Sequence, residues 1–484
     1  MISGSIFDAI VPGRAREGGY REIWRIAYPL IIMSASHTVM QFCDRKFLAM
    51  NSTEDVSAAL PAGILTFTLF AFFMVTVNFT SALVSQHYGN NDKKACVRSV
   101  WNGFYFALFS AFIIIFIVPW IGLAVIDNSM HEPEILRRER LYYIALIPGG
   151  AFVCLGAAFS AYFSGQGKTW NIALVNMFSC GLNILLDYLL IFGKLGFPAW
   201  GITGAGIATS IANLVSCVII FVWFICMNQK KYPTRRYRSF DFSYIKKLLS
   251  FGSPSGAQVF LDVGAFTVTT FLIGRIDREA MAVTTVALSI NMLSFLPLLG
   301  LSDATSIVVG QYIGRGKREV AQFIAYRSWV MASLYMILAG AVFICFPEWL
   351  IGHFAPVNES GIDFSEVVRL GQLILICAAI FNFFDATKFV FMGALRGAGD
   401  TRMVMYICIG CAWGVMVPGV VISIILLKLS VIHVWVFLTC YLACEAGIIY
   451  MRFRSGKWKH IKMIERLAEN PMQSSMQDII VPIE

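Results

Sequence analysis

Asp44, Asp187, Asp262, Asp303, Asp385, Lys388 and Glu445 each stand inside a long apolar run. An ionised side chain near the centre of a bilayer costs on the order of 3 kcal/mol on insertion scales, so each needs a partner, a water-filled cavity or a function. Asp262 is the most isolated, with 14 uncharged residues before it and 12 after. A residue near a span end, such as Glu445 or Asp303, can instead snorkel its charge to the interface. Asn183 and Asp187 are four residues apart and share one helix face, which sets an amide beside a carboxylate. Oxygen ligands of that kind suit a hard cation such as sodium, and a carboxylate in a dry pocket can also load a proton. Asp385 and Lys388, three apart, predict an intramembrane ion pair that would gate Asp385.

The elements that must hold these groups are membrane helices. Of 484 residues, 58% are hydrophobic and only 14% charged, with mean hydropathy +0.70. A soluble chain carries roughly 25% charged residues, so soluble enzymes and disordered scaffolds are excluded. Charge-free runs such as Val56 to Asn91 (36 residues) exceed the roughly 20 that cross a bilayer as a helix. The interruptions predict twelve spans, near 25–49, 56–85, 98–126, 138–164, 169–193, 203–228, 248–273, 280–312, 327–347, 366–395, 403–427 and 430–450. The runs are continuous rather than alternating, which excludes an outer-membrane barrel. The expected fold is an all-α polytopic membrane protein.

Twelve spans return the chain to the side where it began. Segments on that side carry 26 Lys and Arg and the opposite loops 7, so both termini are expected to be cytoplasmic. This asymmetry, with anionic lipid, accounts for the net charge of +9 without a nucleic-acid partner. No signal-type segment precedes the first span. The twelve cysteines form no CxxC pair and read as packing residues rather than as a disulfide frame or zinc site.

The chain also repeats itself. Thr80-Ser81-Ala-Leu-Val84-Ser-Gln86-His-Tyr-Gly89 ends the second span, and Thr305-Ser306-Ile-Val-Val309-Gly-Gln311-Tyr-Ile-Gly314 ends the eighth, 225 residues later. Gly165-Gln-Gly167-Lys168-Thr169 after the fourth span is matched by Gly397-Ala-Gly399-Asp-Thr401 after the tenth, 232 residues later. Two six-helix halves of the same topology follow. The expected division is an N-terminal segment 1–24, an N-terminal lobe 25–229, a basic cytoplasmic linker 230–247, a C-terminal lobe 248–452 and a tail 453–484. Such halves about a central cleft favour a carrier working by alternating access. Gly165 to Thr169 lacks the earlier glycine of a phosphate loop, since position 162 is Tyr, and no strand precedes it. Transport is therefore expected to run on an ion gradient, without a cofactor.

With these residues in place, the chain resembles the multidrug and toxic compound extrusion (MATE) family over roughly residues 20–450. The resemblance rests on Pro29 with Phe42-Cys-Asp44, on Val84-Ser-Gln86-His-Tyr-Gly89, and on Leu182-Asn183-Ile-Leu-Leu-Asp187-Tyr-Leu-Leu-Ile-Phe-Gly193. It rests further on Gly204-Ala-Gly206-Ile-Ala-Thr209, Val309-Gly-Gln311-Tyr-Ile-Gly314, and Asp385-Ala with Gly393-Ala-Leu-Arg396-Gly397. It implies a V-shaped pair of six-helix bundles exporting small amphipathic, often cationic compounds (drugs, toxins, metabolites) in exchange for sodium or protons. By position, Asp44, Asn183, Asp187 and Thr209 are similar to the family's N-lobe ion network, and Asp262 and Asp385 to the acidic pair of the C-terminal lobe. Asp262 stands where members have glutamate, and Phe381 where a tyrosine is found.

The expected protein is a monomeric antiporter of a plasma membrane of bacterial inner-membrane type, whose partners are a small-molecule substrate and the bilayer. A flippase of lipid-linked saccharides is the alternative, but would need several arginines in its groove, and deep basic residues are few: Arg45, Lys46 and Lys388. A membrane hydrolase would need a Ser-Lys, Gly-x-Ser-x-Gly or His-Glu-x-x-His arrangement, which the spans lack.

Overall fold

The computed structural model describes residues 17–129, 131–227, 234–276, 278–354 and 364–464. Residues 1–16 of the expected N-terminal segment, residues 228–233 around the start of the expected linker, and the expected tail beyond 464 lie outside them. Among the described residues the structure is all-helical, and twelve helices are long and apolar enough to cross a bilayer. They are α1 (Tyr20–Asn51), α2 (Thr53–Gly89), α3 (Lys93–Asp127), α4 (Pro133–Gly165), α5 (Thr169–Phe192), α6 (Ile202–Cys226), α7 (Phe242–Ile273), α8 (Ala280–Gly314), α9 (Arg318–Cys345), α10 (Val368–Ala398), α11 (Thr401–Leu426) and α12 (Val431–Arg454). All twelve cysteines are free thiols.

Two helix starts differ most from the sequence expectation, because charge does not always mark a span end. α9 begins at Arg318, nine residues before the expected 327. Arg327 is only 5% exposed, and its Nη1 donates to Gly18 O at 2.7 Å, so it is a helix-interior residue hydrogen-bonded across the molecule. α7 begins at Phe242, inside the expected linker, where the Asp241 carboxylate accepts from Ser243 N at 2.9 Å and caps the first turn. The preceding residues dock on α3: Trp101 Nε1 donates to Thr234 O at 2.8 Å, and Asp241 N donates to Asn102 Oδ1 at 2.8 Å.

Helices α1–α6 and α7–α12 pack as two groups, and each places a chain end in the other's core. Ile23, Ile26, Ala27 and Leu30 of α1 share a core with Leu298, Ile307, Val390 and Phe391. Beyond α12, Met463 joins Val77, Phe79, Leu83 and Ala157. Ahead of α1, Gly18 takes φ +67° and its N–H donates to Tyr312 Oη at 3.0 Å, while Lys317 Nζ lies 2.6 Å from Glu17 Oε2. The Lys317 ammonium holds the Glu17 carboxyl below its usual range. The pair is therefore formed at neutral pH and is lost as pH falls through that lowered value.

Where the two groups meet, glycines let backbone touch backbone. A Cβ on Gly89 would stand 2.0 Å from Gln311 O, and one on Gly314 would stand 2.1 Å from Gln86 O. Gly256 lies against Phe72 O and Gly300 against Ile31 N in the same way. Each of these residues sits in the half of its helix nearer the face that carries both chain ends. The seam is thus built at that face. Gly314→Ala is expected to cost about 1–3 kcal/mol by overpacking, read as a lower melting temperature in detergent. Gly447→Ala, whose Cβ would meet nothing within 4 Å, is expected to leave it unchanged. Equal melting points would mean that the seam yields.

Candidate functional site

In the N-terminal group, α1, α5 and α6 bring together the four residues singled out by resemblance. Gly204 and Gly206 make this possible. A Cβ on Gly204 would stand 2.7 Å from Leu190 O of α5, and one on Gly206 would stand 2.6 Å from the Ala145 Cβ of α4. α6 therefore lies close against both helices, with Thr209 less than one turn further on.

The Asn183 amide bridges Asp44 and Thr209, 3.0 Å from Asp44 Oδ1 on one side and 3.3 Å from Thr209 Oγ1 on the other. With its nitrogen toward α1, the amide donates to an ionised Asp44. Its oxygen then accepts from Thr209 Oγ1 and Thr209 N, both at 3.3 Å.

Asp187, one turn after Asn183, is fully buried, and its carboxyl lies beside that of Asp44. Two carboxyl groups in such contact need a proton or a cation between them. Asp187 Oδ1 has no hydrogen-bond partner among the described residues, an orphaned buried acceptor that needs one. Tyr142 of α4 is near enough to feel both carboxyls. Sequence reasoning missed it, although the Tyr142-Tyr143 pair opening an apolar run was a visible signal. His37, two turns before Asp44, is exposed and feels its field.

In the C-terminal group, α7, α10 and α12 converge, but not in the expected pairing. Lys388 Nζ lies 2.8 Å from Glu445 Oε2, and among the described residues no ion pair joins Lys388 to Asp385. Glu445 is 0% exposed, so it does not snorkel. The expected Asp385–Lys388 pair is corrected to Lys388–Glu445: residues three apart on α10 can diverge, whereas α12 presents a carboxylate directly to the ammonium. The fields of Lys388 and Glu445 reach both Asp262 and Asp385, which places four ionisable groups in one region.

Asp262 Oδ2 accepts from Gln258 Nε2 at 3.0 Å, and Gln258 Oε1 accepts from Arg396 Nη2 at 3.0 Å. The chain carboxylate, amide, guanidinium was legible in part, because Gln258 stands four residues before Asp262. Trp413 Nε1 donates to Leu261 O at 3.1 Å. It does so from a stretch of α11 where π-helical turns, Ala412–Met416 and Ile422–Leu426, flank Pro418. Asp385 is buried on the same helix as Asn382, whose Nδ2 reaches Ser294 Oγ at 3.4 Å. Asp303 is exposed and lies within the field of Arg396. Among the described residues no cluster of three His, Cys, Asp or Glu could hold a metal ion.

The MatE family model matches residues 29–189 and 254–422. The chain belongs to the MATE family. The two matched segments begin 225 residues apart, at Pro29 of α1 and Pro254 of α7, the spacing already seen between Ser81 and Ser306. The chain is 24% identical over 463 residues to the probable multidrug resistance protein NorM of Thermotoga maritima, covering 96% of this chain and 98% of the relative. It is 28% identical to the protein of the same description from Mesorhizobium japonicum, covering 91% and 95%. A solved multidrug resistance MATE transporter in an outward-facing conformation superposes with TM-score 0.79 at 20% identity, covering 90% of this chain and 96% of that one. A MOP superfamily transporter from Pyrococcus furiosus superposes equally well at 19% identity, covering 90% and 95%. This MATE chain is thus a multi-pass transporter of small molecules and not an enzyme.

Proposed function

We propose that the protein exports small amphipathic, often cationic compounds in exchange for sodium or protons by alternating access, as a monomer in the plasma membrane with both termini cytoplasmic. The observation that carries this reading is the half-buried Asp44 carboxyl set beside the buried Asp187, with Asn183 bridging to Thr209 and Asp187 Oδ1 lacking a partner among the described residues. Such a site takes up one positive charge, as a proton between the carboxyls or a small cation among their oxygens. An ion shifts a conformational equilibrium only by its differential affinity for the two states. A site spanning α1, α5 and α6 ties that affinity to the relative position of three helices.

Asp262 and Asp385 form a second cation-attracting region, in which Lys388 already supplies one positive charge and Glu445 balances it. In this reading the N-terminal network couples the ion, and the C-terminal carboxyls bias the cleft toward cationic substrates. With both termini cytoplasmic in this reading, the seam closes the cytoplasmic side, which supports an outward-facing state. An arginine-lined groove for lipid-linked saccharides finds no support here, because Lys388 is paired and Arg396 is bound to Gln258.

The test is efflux of a fluorescent cationic dye from proteoliposomes, driven separately by a sodium jump and a pH jump. Movement under one gradient alone is expected, and it names the coupling ion. No movement under either gradient would remove the antiporter reading and direct the search to lipid-linked substrates.

A further inference from the structure

Gln86 and Gln311 hold equivalent places in the two halves, each three residues before the glycine that ends its helix. Both are buried, 2% and 4% exposed. Neither side chain serves its own half. Gln86 Nε2 donates to Gly397 O at 2.9 Å, and Gln311 Nε2 donates to Gly165 O at 2.8 Å. The two acceptors are repeat equivalents as well, at the ends of α10 and α4.

The local backbone explains why these carbonyls are available. A helix leaves its last carbonyls without intrahelical donors. After α4, Gly167 N and Lys168 N turn back to Ser164 O and Phe163 O, at 2.8 and 2.9 Å. After α10, Gly399 N and Asp400 N turn back to Arg396 O and Leu395 O, at 3.0 and 2.9 Å. Both turns satisfy the flanking carbonyls and leave Gly165 O and Gly397 O to the opposite half. Around Gly397 the packing is close as well: a Cβ on Gly310 would stand 2.1 Å from Ser85 Oγ of the opposite half, and one on Gly397 would stand 2.2 Å from Ser306 O of its own half.

We propose that Gln86 and Gln311 are paired latches of the cytoplasmic gate, positioning residues that set how strongly the outward-facing state is held closed on that side. The proposal rests on the alternating-access reading. When the halves part, both amides and both glycine carbonyls exchange their partners for water, so each bond counts only while the seam is closed. Asparagine is one methylene too short for the reach. An ionised glutamate would set acceptor against acceptor. Related by the repeat, the two bonds break in the same motion, and loss of either weakens the whole closure.

The test uses the full chain in lipid nanodiscs, with spin labels at Asn128 and Leu427 at the face opposite the seam and distances read by pulsed electron resonance. Wild type is compared with Gln86→Ala, Gln311→Ala and the double variant, with Gln86→Asn/Gln311→Asn as the polar control should the alanine pair aggregate. Loss of one bond is expected to raise the ratio of the short-distance, inward-facing population by roughly fivefold, and loss of both by roughly twentyfold or more. If the variants keep the wild-type distribution while protons, sodium or a cationic dye shift the wild type, the latches are overturned and alternating access stands. If no condition and no variant changes the distance, alternating access fails and the latches fail with it.

Discussion

Asp187→Asn is expected to abolish ion-coupled efflux while the chain still inserts and folds. Asparagine keeps the shape of the side chain and removes its charge, so packing around the buried position is preserved. What is lost is the second carboxyl beside Asp44: one of its oxygens becomes an amide donor, so the pair no longer calls for a proton or cation between its oxygens. A hydrogen bond to a charged group contributes about 1.5–3 kcal/mol, so affinity for the coupling ion is expected to fall roughly ten- to a hundredfold. Asp44→Asn is expected to do the same, and it also removes the group that orients the Asn183 amide. Dye efflux from proteoliposomes, normalised to inserted protein, checks both. Wild-type efflux in both variants would take the coupling site out of the N-terminal half and leave Asp262 and Asp385 to carry it.

The second large effect is on stability. Lys388→Ala leaves Glu445 buried without its ammonium, and breaking a buried ion pair on one side costs about 3–5 kcal/mol. The melting temperature in detergent is expected to drop sharply, and Glu445→Gln should cost a comparable amount by stranding Lys388. The double variant Lys388→Met/Glu445→Gln should regain most of the loss, because a buried pair replaced as a unit is often neutral. Recovery in the double variant separates this from simple loss of packing. A single variant melting like wild type would show that water reaches the pair, and would restore Lys388 as a group free to act on Asp385.

Much of the molecule was legible in one dimension. The bilayer penalises charge residue by residue, so the long apolar runs announced the helices, and the carboxylates interrupting them announced the sites. Internal similarity exposed the two halves through Gln86 and Gln311 and through Gly165 and Gly397, and fixed spacing on one helix placed Asn183 beside Asp187. The same local rule failed at Arg327, a charge buried in α9 because Gly18 O of the opposite half accepts from it. It failed again at Lys388, three residues from Asp385 yet paired with Glu445 of α12.

The sequence by itself determined that this chain spans a membrane in two related halves with carboxylates inside, because insertion energies and helical spacing act within single segments. Only the tertiary structure decided which group neutralises which and where the halves close. Those pairings join residues far apart in the chain, and they depend on how closely glycine-lined helices approach one another.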